Sequence, residues 1–330
     1  MNEAKAAESG EDRLIARYFK PLATHPGAFE LLDDAAAIAP PPGCDLVLKA
    51  DGIVAGMHFF PDDPPDLVAK KALRVNLSDL AAKGAQPLGF LLTLALPAEI
   101  GDAWLTPFAR GLGADAAQFA CPLFGGDTDR TTGPITISIA VVGAVPHGKM
   151  VRRAGAKPGD RVVVTGTIGD AALGVMMRNG KGWKLDESQR QHLLSRYLVP
   201  QPRNALAEAV RIHASAAMDI SDGLVGDFGK LCRVSGVAAD VHVARVPLSE
   251  AARAVIAADP DAVESVLTGG DDYEIICTVP PAKAGSFHAA AKAANVAVSE
   301  IGEIKGGEGT RFIAADGCAL IFKRASFSHF

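Results

Sequence analysis

Six short strings carry the aspartates best placed to do chemistry in this chain. They are Leu32-Asp33-Asp34-Ala35, Lys49-Ala50-Asp51-Gly52, Asn76-Leu77-Ser78-Asp79-Leu80, Gly125-Gly126-Asp127-Thr128, Met218-Asp219-Ile220-Ser221-Asp222-Gly223 and Gly269-Gly270-Asp271-Asp272-Tyr273-Glu274. Most stand at the edge of an apolar run. Carboxylates gathered there repel one another unless cations hold them. Hard oxygen donors favour Mg²⁺, which keeps waters and usually shares its shell with phosphates. The strings point to a metal–phosphate site assembled from distant parts of the chain.

Four of the strings also have a plainer explanation. Asp79 is spaced to pair with Lys83 on one helix face. Asp219 and Asp222 straddle a strand end and a helix start, where a carboxylate is stabilised by the helix N-terminus. Asp127 after two glycines fits a tight turn, and Asp33-Asp34 a turn pair. His58 is a lone histidine, and no metal-ligand spacing links the others. Arg152-Arg153 is either a solvated pair or a phosphate contact. All of these explanations must hold at once for the site to be absent.

The elements that would carry these residues follow from periodicity. A short helix is expected over 14–19 and strands over 45–48 and 89–95. Pro64-Pro65-Asp66 opens a helix running to Lys83, with Gly84 as its stop. A helix over 102–120 and strands over 122–124 and 134–145 complete a first half read as β, β, α, β, α, β, β. Pro146-His147-Gly148-Lys149 marks the junction, giving domains 1–146 and 147–330. The second half reads as strand 161–165, helices 171–178, 186–197 and 203–213, strand 216–220, and a helix capped by Ser221 and ending near Ser235. Strand 239–243, helix 248–257, strand 273–279, helix 282–294 and a terminal strand pair follow. Residues 179–183, ending in Trp183, read as a surface loop. The fold class is mixed α/β in two domains.

Composition narrows the class further. With 330 residues, 48% hydrophobic and 22% charged, the chain suits a soluble two-domain protein. A formal net charge of −5 argues against a nucleic-acid surface. Five scattered cysteines without a C-x-x-C pair read as free thiols of a reducing cytoplasm. The polar start of the chain has no signal-peptide core, and no apolar stretch reaches membrane-spanning length. Gly166-Thr167-Ile168-Gly169-Asp170 lacks the third glycine of a dinucleotide loop, and no Walker loop exists. Asp227-Phe228-Gly229 matches the protein-kinase triplet without that family's other motifs.

Together the strings resemble the thiamine-monophosphate kinase family, whose superfamily includes aminoimidazole ribonucleotide synthetase and selenophosphate synthetase. The likeness runs from Leu14–Phe19 through Asp51–Phe59, Lys71–Ala82 and Gly125–Thr128. It continues through Arg153–Asp160, Val164–Thr167, Asp219–Leu224 and Gly269–Glu274. It implies an N-terminal α/β domain whose strands pair with a second subunit into a β-barrel, a C-terminal α/β domain, and a homodimer. It also implies transfer of the γ-phosphoryl of ATP to thiamine monophosphate with several Mg²⁺ ions. Carried over residue by residue, Asp34, Asp51, Asp79, Asp127, Asp219 and Asp222 would bind Mg²⁺. Gly126, Asp127, Arg153 and Ser221 would contact ATP. His58, Asp271, Arg324 and Phe327 would meet the substrate.

The chemistry suits such residues. A phosphate monoester with a second pKa of about 6 is mostly dianionic at neutral pH and needs no general base. Its obstacle is repulsion by the ATP tail: two unit charges about 4 Å apart cost about 4 kcal/mol at an effective dielectric of 20. The aspartates are therefore given an electrostatic and positioning role. The chain departs from the family pattern at Leu32, where glycine is usual, and at Lys49-Ala50, where a hydroxyl pair is common. Asp271-Asp272 stands where Glu is common, and Arg324 where an aromatic is often found. Two rival readings are another ATP-using synthetase of the superfamily and a nucleotide-binding dimer without turnover.

Overall fold

The computed structural model describes residues 10–326, which separate into two units. One takes the chain up to Asn76 together with Pro87–Ala144; the other takes Leu77–Gln86 and the chain from Val145 onward.

The first unit opens with helix α1 (Gly10–Leu14) and a π-helical turn, Ile15–Phe19. Strand β1 (Cys44–Val54), helix α2 (Pro65–Ala82), strand β2 (Gln86–Leu96), helix α3 (Asp102–Gln118) and strands β3 (Leu123–Arg130) and β4 (Thr136–Pro146) follow. The sheet order is β1-β4-β2-β3, with β2 and β3 parallel. Alternation fixes which face is covered: Phe90, Leu92, Leu94 and Leu96 of β2 are buried, whereas Leu91 between them is 43% exposed. Arg74 of α2 clamps Asp115 of α3 through two bonds of 2.5 and 2.9 Å, a buried pair that fixes how the helices meet.

A single strand precedes α2, where two were expected, and it runs on to Val54 instead of stopping at Leu48. Lys49-Ala50-Asp51 therefore lies within a strand. The β3 strand likewise continues to Arg130, which places Gly125-Gly126-Asp127 inside the ladder rather than in a turn after it. Glycine and aspartate lower strand propensity, but the ladder to β2 overrides that local preference.

The second unit has strands β5 (Arg161–Thr165), β6 (Ala216–Ile220), β7 (Ala238–His242), β8 (Glu274–Val279), β9 (Val298–Lys305) and β10 (Gly309–Ile313). Their order is β10-β7-β9-β5-β8-β6, and β10–β7 is a parallel pair. The helices are α4 (Asp170–Arg178), α5 (Glu187–Leu198), α6 (Ala207–His213), α7 (Leu224–Ser235), α8 (Glu250–Ala258), α9 (Ala262–Thr268) and α10 (Pro281–Ala293). Val162 and Val164 pack in one core with Phe228 of α7, and Val163 packs in another with Phe287 of α10. The sheet is covered on both faces, which explains the unbroken Val162-Val163-Val164 run.

Four expectations change here. Helix α9 has only seven residues and escapes periodicity. The last two strands do not pair with each other: β9 lies between β5 and β7, and β10 joins β7. Ser221 does not cap α7, whose N-cap is Gly223 with no side-chain bond; Asp227 of the helix instead accepts the N–H groups of Ser221 and Asp222 in the preceding turn. Trp183 is not a surface residue; it is 8% exposed, packs with Leu173, Leu193 and Val255, and donates to Asp259 at 3.1 Å.

Candidate active site

In the first unit, a cavity of about 260 Å³ is bounded by Asp33, Asp34, Gly125, Gly126, Asp127 and Thr128, over apolar walls that include Phe19 and Leu92. Glycine at 126 is a steric requirement. Its φ is +154°, and a Cβ there would lie 1.7 Å from the Leu92 carbonyl oxygen. The aspartates are aimed locally: the Asp34 N–H donates to Asp33 Oδ1, and the Thr128 N–H to Asp127 Oδ1, each at 2.8 Å. Among the described residues, the cavity lining contains three carboxylates and no basic side chain.

Asp51 stands on β1, where Asn76 Oδ1 accepts its N–H at 2.9 Å and Lys49 Nζ lies 3.1 Å from its Oδ1. His58 Nδ1 accepts the Val54 N–H at 3.1 Å, so in the neutral ring the proton sits on Nε2. The Lys71 ammonium bonds the His58 carbonyl oxygen.

The second unit holds the remaining strings. Asp79, near the end of α2, is 9% exposed. Around it, Ser78 Oγ donates to the Tyr273 carbonyl, Asn204 to that of Leu77, and Lys83 to that of Ala217. Asp219 is buried at the end of β6. In the turn that follows, Asp227 Oδ2 accepts the N–H groups of Ser221 and Asp222 at 2.9 and 2.8 Å. Lys230 then bridges Asp222 at 2.5 Å and Asp227 at 2.9 Å. Burial raises the Asp227 carboxyl above its ordinary range, partly offset by Lys230.

The Gly269–Glu274 string is clamped against this turn. Asp271 and Tyr273 have φ of 69° and 50°, and their N–H groups donate to Ser221 and Ile220. Such left-handed residues cost free energy that surrounding bonds must offset. Glu274, fully buried, takes Arg196, Arg203 and the Thr165 hydroxyl. Asp272 turns inward and accepts the Gly169 N–H at 2.8 Å, while its Oδ2 is buried without a hydrogen-bond partner. Burial pushes its carboxyl well above the usual carboxylate range. Arg153 and Arg324 are exposed, and Phe327 lies outside the described residues.

The structure thus brings Asp34, Gly126 and Asp127 to one cavity, and Asp219, Ser221, Asp222 and Asp271 to one clamped turn. Among the described residues, no three His, Cys, Asp or Glu side chains stand as a ready-made metal cluster.

Residues 32–145 match the family described as AIR synthase related protein, N-terminal domain, and residues 157–315 its C-terminal domain. Thiamine-monophosphate kinase of Caulobacter vibrioides is 46% identical over 308 residues, covering 92% of this chain and 86% of that one. The chain belongs to the thiamine-monophosphate kinase family. The Stenotrophomonas maltophilia thiamine-monophosphate kinase structure superposes with a TM-score of 0.82 at 36% identity, covering 94% of this chain and 96% of that one. The structure of AaThiL complexed with AMPPCP and TMP matches with a TM-score of 0.77 at 29% identity, over 100% of both chains.

Within this thiamine-monophosphate kinase fold, sequence reasoning named Asp33, Asp272 and Glu274 in its strings without giving them a role, and gave none to Asp227 or Lys230. Asp227 was visible only as part of a chance kinase triplet. Its spacing of five residues from Asp222, across a strand-to-helix turn, was the available signal.

Proposed function

We propose that this chain transfers the γ-phosphoryl group of ATP to the phosphate of thiamine monophosphate, giving thiamine diphosphate and ADP. The observation that carries the reading is the cavity shared by Asp33, Asp34, Gly126 and Asp127, in a chain whose relatives carry that activity over nearly its whole length. A relative binds AMPPCP, which stands in for ATP, together with TMP.

Mg²⁺ fits the donors of that cavity, because its lining, among the described residues, offers only oxygen ligands and no competing cation. Asp34 and Asp127 would hold it there, with Asp79, Asp219 and Asp222 as further Mg²⁺ ligands of the second unit, and when bound Mg²⁺ neutralises charge between the ATP tail and the acceptor dianion. Gly126 allows close approach of backbone to nucleotide. Arg153 and Ser221 contact ATP. His58 presents Nε2–H to the acceptor, and Asp271 and Arg324 are further substrate contacts in this reading. No proton must be removed for attack, so the side chains bind, align and screen charge.

The chain acts as a cytoplasmic homodimer in this reading. Leu46, Leu48 and Leu91 of the four-stranded sheet are 44%, 72% and 43% exposed, an apolar face suited to a second copy. No described helix is long and apolar enough to cross a membrane.

The test is purified protein with ATP, thiamine monophosphate and a Mg²⁺ titration, with thiamine diphosphate read by chromatography. Product that appears with Mg²⁺ and disappears with chelator is expected. A folded protein that binds ATP yet makes no product overturns the reading. Asp79→Asn sharpens the test: a site role predicts a large fall in rate, whereas a plain helix pair predicts normal turnover and a stability change under about 1 kcal/mol.

A further inference from the structure

Lys49 and Asp51 stand two residues apart on β1, so their side chains leave the same face of the strand. Lys49 Nζ lies 3.1 Å from Asp51 Oδ1, with both side chains partly exposed. The Asp51 backbone is held separately by Asn76. Two other acidic sites differ from this one. The Asp34–Asp127 cavity has no basic residue in its lining. Asp222 shares Lys230 with buried Asp227, so one ammonium there serves two carboxylates.

We propose that Lys49 takes the place of a divalent cation at Asp51, so that Asp51 is not a Mg²⁺ ligand in this chain and the ammonium meets the phosphates directly. The inference rests on the kinase reading above and revises the sequence expectation for Asp51. A carboxylate already balanced by an ammonium attracts a metal ion weakly, and the ammonium itself repels one. An ammonium carries three donors and binds phosphate as a compact point charge, so it can serve a carboxylate and a phosphate together. A cation tethered to the strand is present at any Mg²⁺ concentration. The Mg²⁺ requirement is then set by the other aspartates.

Mn²⁺ counted by electron paramagnetic resonance provides a readout independent of turnover. Wild type, Lys49→Met, Lys49→Arg and Asp51→Asn would each be titrated with Mn²⁺ in the presence of AMPPCP, after circular dichroism melts show that they are folded. Wild type, Lys49→Arg and Asp51→Asn are expected to bind equal numbers of ions, and Lys49→Met one more. In turnover, the Mg²⁺ dependence of Lys49→Met shifts to higher concentration. A count that falls in Asp51→Asn, or that is equal in Lys49→Met and wild type, overturns the proposal. A wild type that binds Mn²⁺ and AMPPCP but makes no thiamine diphosphate overturns the kinase reading instead, because the ion count does not depend on product.

Discussion

Asn76 Oδ1 accepts the backbone N–H of Asp51 at 2.9 Å, while its amide nitrogen donates to the Ala72 carbonyl at 3.0 Å. A helix side chain thus holds a strand residue by its backbone, while the Asp51 carboxylate pairs with Lys49. Asn76→Ala leaves that N–H without its acceptor, and Asn76 itself is fully buried. A stability loss of about 1–3 kcal/mol is expected in urea unfolding. An unchanged midpoint would show that the bond contributes nothing.

Gly126→Ala places a methyl group against the Leu92 carbonyl, with which no side-chain rotation can help. The ladder between β2 and β3 must open there, and the cavity wall moves with it. Nucleotide affinity measured by calorimetry should fall at least about tenfold, corresponding to about 1.4 kcal/mol. Gly125→Ala is the control, since its Cβ would meet Leu91 at an ordinary 3.6 Å.

Asp127→Asn keeps the shape of the side chain and its bond to the Thr128 N–H, but removes a charge from the cavity. The rate at fixed Mg²⁺ should drop by about 10² or more, the size seen when one electrostatic partner of a transition state is lost. The melting temperature should barely change, because the residue is exposed. Asp34→Asn should behave alike, and a normal rate in both would remove the cavity from the mechanism.

Asp170 and His192 form a titrating pair, with Nε2 3.0 Å from Oδ2. The bond to Asp170 raises His192 above its ordinary 6.5. Burial would raise Asp170, but bonds from His192, Ser249 and Thr167 outweigh it and hold its carboxyl below 3.8. The histidine's contribution is therefore complete below pH 6.5 and is lost as pH rises through its higher folded value. The carboxylate's contribution is present above pH 3.8 and is lost as pH falls through its lower folded value. His192 is 41% exposed, so solvent keeps its share under about 1 kcal/mol. Melting temperature should decline gently on the alkaline side in wild type, and His192→Gln should flatten that slope.

Burial penalises the charge of Asp272 and pushes its carboxyl well above the usual carboxylate range. Its folded state binds a proton that the unfolded chain releases above about pH 4, so this carboxyl costs stability progressively as pH rises. Asp272→Asn preserves an acceptor for the Gly169 N–H and cannot ionise. Its melting temperature should equal or exceed wild type at pH 7, by a margin that grows with pH. Asp272→Ala should lose about 1–3 kcal/mol by orphaning that N–H. A marked loss in Asp272→Asn would show that a charge is needed there.

Local patterns in the sequence determined much of this protein. Proline and glycine punctuation bounded α2, apolar runs marked β5 and β6 to the residue, and the aspartate strings named the acidic residues of the cavity and the clamped turn. These signals are legible because propensity, capping and periodicity act over a few neighbours. Only the tertiary structure decided what depends on distant partners. Ladder bonds to β2 drew Gly125-Gly126-Asp127 into a strand, and packing with Leu173, Leu193 and Val255 buried Trp183. Ser221 became a tethered residue rather than a cap, because the Asp227 carboxylate accepts its N–H and that of Asp222 at once. Asp271 and Asp272, adjacent and alike in sequence, were sent to opposite fates, one on a strained turn and the other into a core where its charge is not tolerated. Burial and bonding across the fold set those outcomes, and neither is a property of the residues taken in order.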